Sequence, residues 1–448
     1  MSSPQSTITE SSAARTNRLP VMISIVLAML VASMDTTIAN TTMGVIADEL
    51  GGMQLYAWSF ASYMIMSTVV APVAGRISDL FGRKTIFSVG LILFLAGSIL
   101  CGMSETMLQL VLYRALQGIG AGIMMPFPAI IAGDLFSIEK RGKIQALFTG
   151  MWGLSAVLAP MLGAFFVEYA SWRWIFYINI PICIVSVILL RFYKEEYTPR
   201  KSKIDFGGSV LFAIGVSLLL LTTTVESYAF AYGIGGVIAM IAFYLYERRH
   251  ASPIIPLSLL RNRAVTWINV NGFLACVSLF GTSSFVPLFL QEEGYSIFES
   301  GLALLSMSFG WMAVAVPAGK WILRFGYAKL LIVGNAILVV SGLLLFLMEH
   351  GNGFWYVFVA LIVQGLAFGL ISTVATIGSQ QLVEPHQKGV STSLSLFSRN
   401  IGTAIGVTIM GAILNGATDF FTGIDQLFLF GFAASIVAFA SSFMIRRV

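Results

Sequence analysis

One carboxylate stands where a carboxylate is expensive. Asp35, in Leu30-Val-Ala-Ser-Met-Asp35-Thr-Thr-Ile-Ala-Asn40, lies inside the first long apolar run of the chain. An ionisable group at mid-membrane costs at least ~2.5–3.5 kcal/mol, and such groups usually face a protein interior or a water cavity on an ion or substrate path. Arg114 and Gln117, one helical turn apart in the fourth apolar run, are the groups that can answer it. At 1.5 Å per residue, Asp35 falls roughly 8 Å and Arg114 roughly 10 Å below the same membrane face. A buried charge needs a partner, so Asp35 and Arg114 are expected to meet directly, through Gln117, or through water. Burial and a nearby guanidinium push the proton affinity of such a carboxyl in opposite directions, and a balance near physiological pH suits a reversible proton carrier.

The elements that must hold these groups are membrane spans. The chain has 448 residues, 57% of them hydrophobic and only 10% charged, against ~25% charged in soluble domains. Fourteen apolar runs are long enough to cross a bilayer: roughly 20–45, 54–76, 85–104, 107–135, 142–168, 172–191, 207–226, 229–247, 264–290, 297–322, 329–349, 353–382, 388–415 and 425–445. The weakest division is between the seventh and eighth, where Glu226 is the break. Residues 1–19 are polar and rich in Ser and Thr and read as a disordered cytoplasmic tail.

With the amino terminus inside, the inner loops collect Arg76, Arg83, Lys84, Lys140, Arg141, Lys143, Arg191, Lys194, Arg200, Lys201, Lys203, Arg248, Arg249, Arg261, Arg263, Lys320, Arg324, Lys329 and Lys388. Arg446 and Arg447 close the chain on the same side, and Arg173 is the one basic residue outside. This asymmetry gives an even number of spans with both termini in the cytoplasm. The net charge of +5 is thus a topology signal, and no nucleic-acid partner is expected.

The chain also repeats itself. Gly75-Arg-Ile-Ser-Asp-Leu-Phe-Gly82 returns as Gly319-Lys-Trp-Ile-Leu-Arg-Phe-Gly326, 244 residues on; Gln117-Gly118 and Gly122 return as Gln364-Gly365 and Gly369, 247 residues on; Arg141-Gly142 returns as Lys388-Gly389. Runs 1–6 and 9–14 are therefore two parallel six-helix repeats, and runs 7 and 8 an inserted pair expected to act as peripheral scaffolding. The boundaries expected are a tail over 1–19, an amino-terminal bundle over 20–192, a linker with the inserted pair over 193–263 and a carboxy-terminal bundle over 264–448. Two such halves around a midplane site form an alternating-access carrier.

Four strings carry a family resemblance: Gly75-Arg76-Ile-Ser-Asp79-Leu-Phe-Gly82-Arg83-Lys84; Tyr113-Arg114-Ala-Leu-Gln117-Gly118-Ile-Gly120-Ala-Gly122; Gly153 with Ala159-Pro160-Met-Leu-Gly163; and Trp172-Arg173-Trp-Ile-Phe-Tyr-Ile-Asn179-Ile-Pro181. The chain resembles the fourteen-helix drug:proton antiporters of the major facilitator superfamily. That resemblance implies an all-α membrane protein of the major facilitator fold, with two six-helix bundles plus two inserted helices. It implies a cytoplasmic gate at Gly75, Arg76, Asp79, Gly82 and Arg83, proton coupling through Asp35, Arg114 and Gln117, and an antiporter motif at Gly153, Ala159, Pro160 and Gly163. Ala159 stands where the family usually has Gly, and Leu323 where the second copy of the gate would have its Asp.

The implied activity is proton-coupled export of lipophilic, often cationic compounds across the cell membrane. The substrate cavity is expected at Asp35, Trp152 and Asn271, with Phe, Met and Trp side chains around it. A dedicated exporter of one metabolite or antibiotic, or a lipid or glycolipid flippase, would use the same fold. No carboxylate lies deep in runs 9–14, while Asp134 and Glu168 sit near run ends where interfacial solvation is expected. One deep carboxylate favours one proton per cycle. The expected partners are substrate, protons and membrane lipids, with the protein a monomer. His250, His350 and His386 lie in loops and Cys101, Cys183 and Cys276 in apolar runs, so no metal is expected. No catalytic constellation surrounds Asp35, so an enzyme is not expected, and the proton gradient takes the place of a cofactor.

Overall fold

A computed structural model of the protein describes residues 17–51, 55–195, 205–222, 228–250, 253, 255, 259, 261–295, 297–349, 351 and 353–445. Within them the chain is helical, without a strand. That is the expected solution for an apolar chain in lipid, where backbone N–H and C=O groups must be satisfied inside each segment.

The first repeat forms α1 (Arg18–Leu50), α2 (Tyr56–Phe81), α3 (Arg83–Gly102), α4 (Met107–Met124), α5 (Phe127–Leu135), α6 (Ile138–Tyr169), α7 (Trp174–Tyr177) and α8 (Asn179–Leu190). The inserted pair is α9 (Phe206–Leu221) and α10 (Ala229–Glu247). The second repeat forms α11 (Arg263–Glu292), α12 (Ile297–Phe325), α13 (Tyr327–Phe346), α14 (Gly353–Gln381), α15 (Lys388–Gly416) and α16 (Phe420–Ile445).

Each of the fourteen expected runs contains helix among the described residues. Eleven stretches among the described residues are long and apolar enough to span, and Trp174–Leu190 and Gly207–Leu221 are shorter apolar helices. The chain is a multi-pass membrane protein.

Helix α1 follows Asn17 and is already helical at Arg18, inside the stretch expected as tail. Residues 1–16, the basic residues Arg200, Lys201, Lys203, Arg446 and Arg447, the break at Glu226, and His350 lie outside the described residues. The fourth run stands as one stretch, Met107–Leu135, carried by α4 and α5, because Pro126 and Pro128 remove two backbone donors at the junction. The sixth likewise runs through Trp174–Leu190, with Ile178 between α7 and α8.

The helices group into two units. One comprises Met1–Phe136, Leu154–Leu257 and Glu384–Ser393; the other comprises Ser137–Gly153, Ser258–Val383 and Leu394–Val448. One end of α6 thus groups with most of the second repeat, and the first turns of α15 with most of the first.

In the first unit α1 is fastened to α8 by Ser24, whose Oγ donates to the Ser186 carbonyl at 2.8 Å. It is fastened to α6 by a Ser33–Ser155 hydroxyl pair at 2.6 Å. In the second unit Asn271 of α11 donates to the Ala438 carbonyl and the Ser441 hydroxyl of α16, both at 2.9 Å, and accepts from Asn335 of α13 at 3.0 Å. Buried polar links of this kind join helices where lipid supplies no hydrophobic driving force between them.

Glycines set the closest approaches. A Cβ on Gly118 or Gly122 of α4 would sit 2.5 Å from the carbonyl oxygens of Tyr63 and Ser67 on α2. In the other unit, a Cβ on Gly365 or Gly369 of α14 would meet the carbonyls of Met307 and Trp311 on α12 at 2.0 and 2.6 Å. The repeat seen in sequence is therefore a repeat in packing.

Candidate functional site

Asp35 sits midway along α1, 3% exposed, and Arg114 of α4 is 1% exposed. Arg114 Nη1 donates to Asp35 Oδ2 at 2.6 Å and to Gln117 Oε1 at 2.8 Å. Gln117 Nε2 donates to Asp35 Oδ1 at 2.7 Å and to the Ser98 hydroxyl at 2.8 Å. The direct and the Gln117-mediated arrangements thus occur together. Asn179, the first residue of α8, gives Oδ1 a second donor at 3.1 Å and reaches the same Ser98 hydroxyl at 3.1 Å. The Arg114 guanidinium carbon also stands 4.2 Å from the centre of the Tyr63 ring, within cation–π range.

Local sequence explains this placement. Thr106 caps α4 by accepting from the Gln109 N–H at 3.3 Å, and Gln109 Oε1 accepts from the Glu105 N–H at 2.9 Å. This reciprocal cap fixes where the helix begins, and so the height of Arg114 and Gln117. Gly97 lets α3 lie against Gln117, since a Cβ there would be 2.6 Å from the Gln117 Cα. Without that approach, Ser98 could not reach the Gln117 amide. The sequence had named Asn179 only within a motif and had passed over Ser98; four separated stretches, on α1, α3, α4 and α8, meet here.

The arrangement is a charge held by donors. Oδ1 accepts two hydrogen bonds and Oδ2 one, so Oδ2 keeps the spare lone pair and is the atom a proton would reach. Breaking a buried pair by removing one partner typically costs ~3–5 kcal/mol. The side chain of Asp35 is 1% exposed in this arrangement.

A second polar cluster lies in the same unit at the basic-loop end of α2. Gly82 has φ 94° and ψ 143°, a conformation open essentially only to glycine; it turns the chain sharply from α2 into α3. Glu195 then caps α3, accepting from the Arg83 and Lys84 N–H groups at 2.8 and 3.0 Å.

Asp79 is aimed at the start of α15. Its two oxygens accept from the N–H groups of Gly389 and Val390 at 3.0 and 2.9 Å, a carboxylate at a helix N-terminus. Gly75 and Gly389 make this crossing possible: a Cβ on Gly75 would be 2.6 Å from the Gly389 carbonyl, and one on Gly389 2.6 Å from that of Gly75. Arg83 lies 3.6 Å from Asp79 and makes an ion pair with Asp134, whose other neighbour is the Tyr193 hydroxyl at 3.4 Å. Asp134 is therefore a paired residue, against the expectation of simple interfacial solvation. Arg76 adds a further positive charge near Asp79.

The second unit holds the matching crossing. A Cβ on Gly142 of α6 would be 2.5 Å from the Ala315 carbonyl, and one on Gly319 2.6 Å from that of Ile138. Here Leu323 replaces the carboxylate and is 62% exposed, while Arg141 reaches Gln380 Oε1 at 3.3 Å.

The remaining expected residues separate. Asn271 is fully buried with both amide hydrogens taken by α16, so it fastens helices and offers a substrate no donor. Trp152 is half-buried on α6. Gly153 faces Ser308 of α12 at 3.5 Å from a built Cβ. Ala159 is fully buried in the core that contains Met34, the neighbour of Asp35, and Gly163 is also buried. Pro160 lies inside α6. Among the described residues no group of His, Cys, Asp and Glu is arranged to hold a metal ion.

The model of the family described as the Major Facilitator Superfamily matches residues 25–407 and 304–447. A multidrug transporter protein, MdtP, of Bacillus subtilis is 33% identical over 411 residues, 90% of this chain and 76% of that protein. Multidrug resistance protein 3 of the same organism is 33% identical over 418 residues, covering 90% and 82%. The multidrug efflux pump SdrM of Staphylococcus aureus is 29% identical over 398 residues, covering 87% and 88%. Among solved structures, the human organic anion transporter MFSD10 superposes with a TM-score of 0.69 over 94% of this chain and 99% of that one, at 16% identity; this likeness is one of fold.

Proposed function

The chain belongs to the major facilitator superfamily, and from that premise we propose that it is a fourteen-span, proton-coupled multidrug exporter of the cell membrane. Relatives named as multidrug transporters along most of the chain support the substrate class. The observation that carries the coupling is the Asp35 carboxylate, buried in α1 and held by Arg114, Gln117 and Asn179.

In the cycle we infer, a proton arrives at Oδ2, where Arg114 is the sole donor. Neutralising the carboxylate removes the charge–charge attraction and frees the guanidinium to relax onto the Tyr63 ring and Gln117 Oε1, both already in contact with it. Loosening α1 from α4 then favours the conformation in which the proton leaves toward the cytoplasm. A lipophilic cation competes for Asp35 only after the pair with Arg114 has opened, which makes proton and drug alternate rather than bind together. One carboxylate carries one proton per cycle. The basic loops face the cytoplasm with both termini, so Asp79 of α2, bound to the start of α15, is a cytoplasmic latch that alternating access must release. The protein works as a monomer with protons, lipids and substrate as partners, and the proton gradient drives it without a cofactor.

The test is proton-gradient-driven efflux of ethidium in inside-out vesicles, wild type against Asp35→Asn at matched membrane levels. Export by the wild type and loss of at least tenfold in the variant support the reading. Equal rates would remove Asp35 from the coupling step, and no ethidium transport in either would remove the lipophilic-cation substrate.

A further inference from the structure

The second unit contains a half-buried cation that the coupling site does not use. Arg399 lies eleven residues beyond the start of α15, roughly 16 Å along the helix, and so deep in the membrane. Its side chain runs between α11 and α14. Gly272 makes room for its aliphatic stem, since a Cβ there would be 3.3 Å from the Arg399 Cγ. Nη1 makes a long 3.4 Å contact to the Ser372 carbonyl and Nη2 another of 3.4 Å to the Thr376 hydroxyl. Nε is sealed from solvent and has no partner.

No carboxylate among the described residues lies within ion-pair distance of this guanidinium. The contrast with Arg114, which has a carboxylate at 2.6 Å, is direct. The surrounding polar atoms are also short of partners. Ser372 Oγ and Asn269 Oδ1, the latter one turn before Gly272 on the same face of α11, are sealed and unbonded. A charge withdrawn from water needs hydrogen-bonded partners, and a guanidinium whose Nε is unpaired has donors left for a planar anion, which a guanidinium can hold by two parallel hydrogen bonds.

We propose that Arg399, with the hydroxyls of Ser372 and Thr376, is the binding site for a single anionic group: the carboxylate of an amphiphilic substrate, or an inorganic anion. The two sources share the same chemistry, a negative charge accepting from the guanidinium edge and one or two hydroxyls. If the anion belongs to the substrate, the transporter takes zwitterionic and acidic amphiphiles as well as cations. Only the direction of transport rests on the export reading above; binding does not.

The probe is 1-pyrenebutyrate, with its uncharged amide as control, bound at equilibrium to the purified full-length protein in nanodiscs without a proton gradient or added salt. The wild type should prefer the carboxylate to the amide at least tenfold, and Arg399→Gln should abolish that preference while leaving amide binding unchanged. Chloride titration separates the sources. If carboxylate and amide bind alike but chloride protects the wild type and not Arg399→Gln against thermal unfolding, the anion is inorganic.

The proposal fails if the wild type shows neither effect, or if either persists in Arg399→Gln. Should Arg399→Gln not fold, Thr376→Asp supplies a carboxylate where the hydroxyl lies 3.4 Å from Nη2 and must likewise remove the preference; its retention overturns the proposal. Ethidium export is measured in parallel, and its absence bears on the export reading alone.

Discussion

Gln364 donates to the Thr282 hydroxyl at 2.7 Å, and these two residues occupy in the second repeat the positions of Gln117 and Asp35 in the first, 247 residues on. The amide–acceptor contact has the same length in both halves. What differs is charge: Thr282 stands for Asp35, and Leu361 for Arg114. One half of the molecule thus retains the helix spacing of the site without its ion pair.

Thr282→Asp alone should leave an uncompensated carboxylate in a fully buried position, at a cost of ~3–5 kcal/mol. Thr282→Asp with Leu361→Arg should recover much of that loss. Thermal unfolding of the purified proteins checks this; equal melting of the single and double variants would show that the repeat does not extend to side-chain geometry.

Gly120 of α4 would place a Cβ 2.3 Å from the Phe94 backbone nitrogen on α3. A backbone atom cannot swing aside as a side chain can, so Gly120→Val must separate the two helices. Overpacking of this kind costs typically ~1–3 kcal/mol. Because Gln117 is one turn away and rests on α3 at Gly97, proton-driven export should fall more steeply than the melting temperature. An unchanged export rate in a destabilised variant would separate the packing of α3 and α4 from the coupling site.

The contrast between Asp35 and Asp134 shows how far sequence carried. Asp35 and Arg114 were legible because apolar surroundings and matched depth along straight helices leave few other solutions. Gln117 followed from helical spacing. Asn179 and Ser98 were not legible, since their meeting depends on the crossings of α3 and α8 with α1, which no local pattern specifies. Asp134 was misread because depth alone suggested water, whereas the turn at Gly82 brings Arg83 onto it. Asn271 looked like a cavity residue for the same reason in reverse: a polar side chain in a span is as readily a fastener between helices, and only its partners on α13 and α16 decide. The breaks in the fourth and sixth runs have their cause in Pro126, Pro128 and Pro181, all visible in the sequence.

Asp79 joins α2 to α15 by two charge-assisted hydrogen bonds, and Leu323 supplies nothing of the kind at the corresponding place. Hydrogen bonds to charged groups contribute ~1.5–3 kcal/mol each. Asp79→Ala should therefore favour opening of this crossing by at least about tenfold, the factor that ~1.4 kcal/mol represents. Leu323→Ala, at an exposed side chain, should change it little. A cysteine at Ser393, whose hydroxyl lies 2.3 Å from a Cβ built on Gly75, reports the opening through its rate of maleimide labelling in a background without other cysteines. Equal labelling in the Asp79→Ala and Leu323→Ala backgrounds would remove Asp79 from the latch.

The inserted pair is closed at one end by Asp205, which caps α9 by accepting from the Gly208 N–H at 2.7 Å and lies 3.3 Å from His250 Nδ1 just beyond α10. Tyr246 stacks on the His250 ring at 5.5 Å. Helix α9 also packs against α2, so the pair touches a helix of the transport core. Loss of an N-cap typically costs ~0.5–2 kcal/mol, and Asp205→Ala should lower the melting temperature accordingly. If the pair is scaffolding, ethidium export by the surviving protein stays within twofold of wild type. A tenfold fall in export without a matching loss of stability would instead make α9, through its contact with α2, part of the moving machinery.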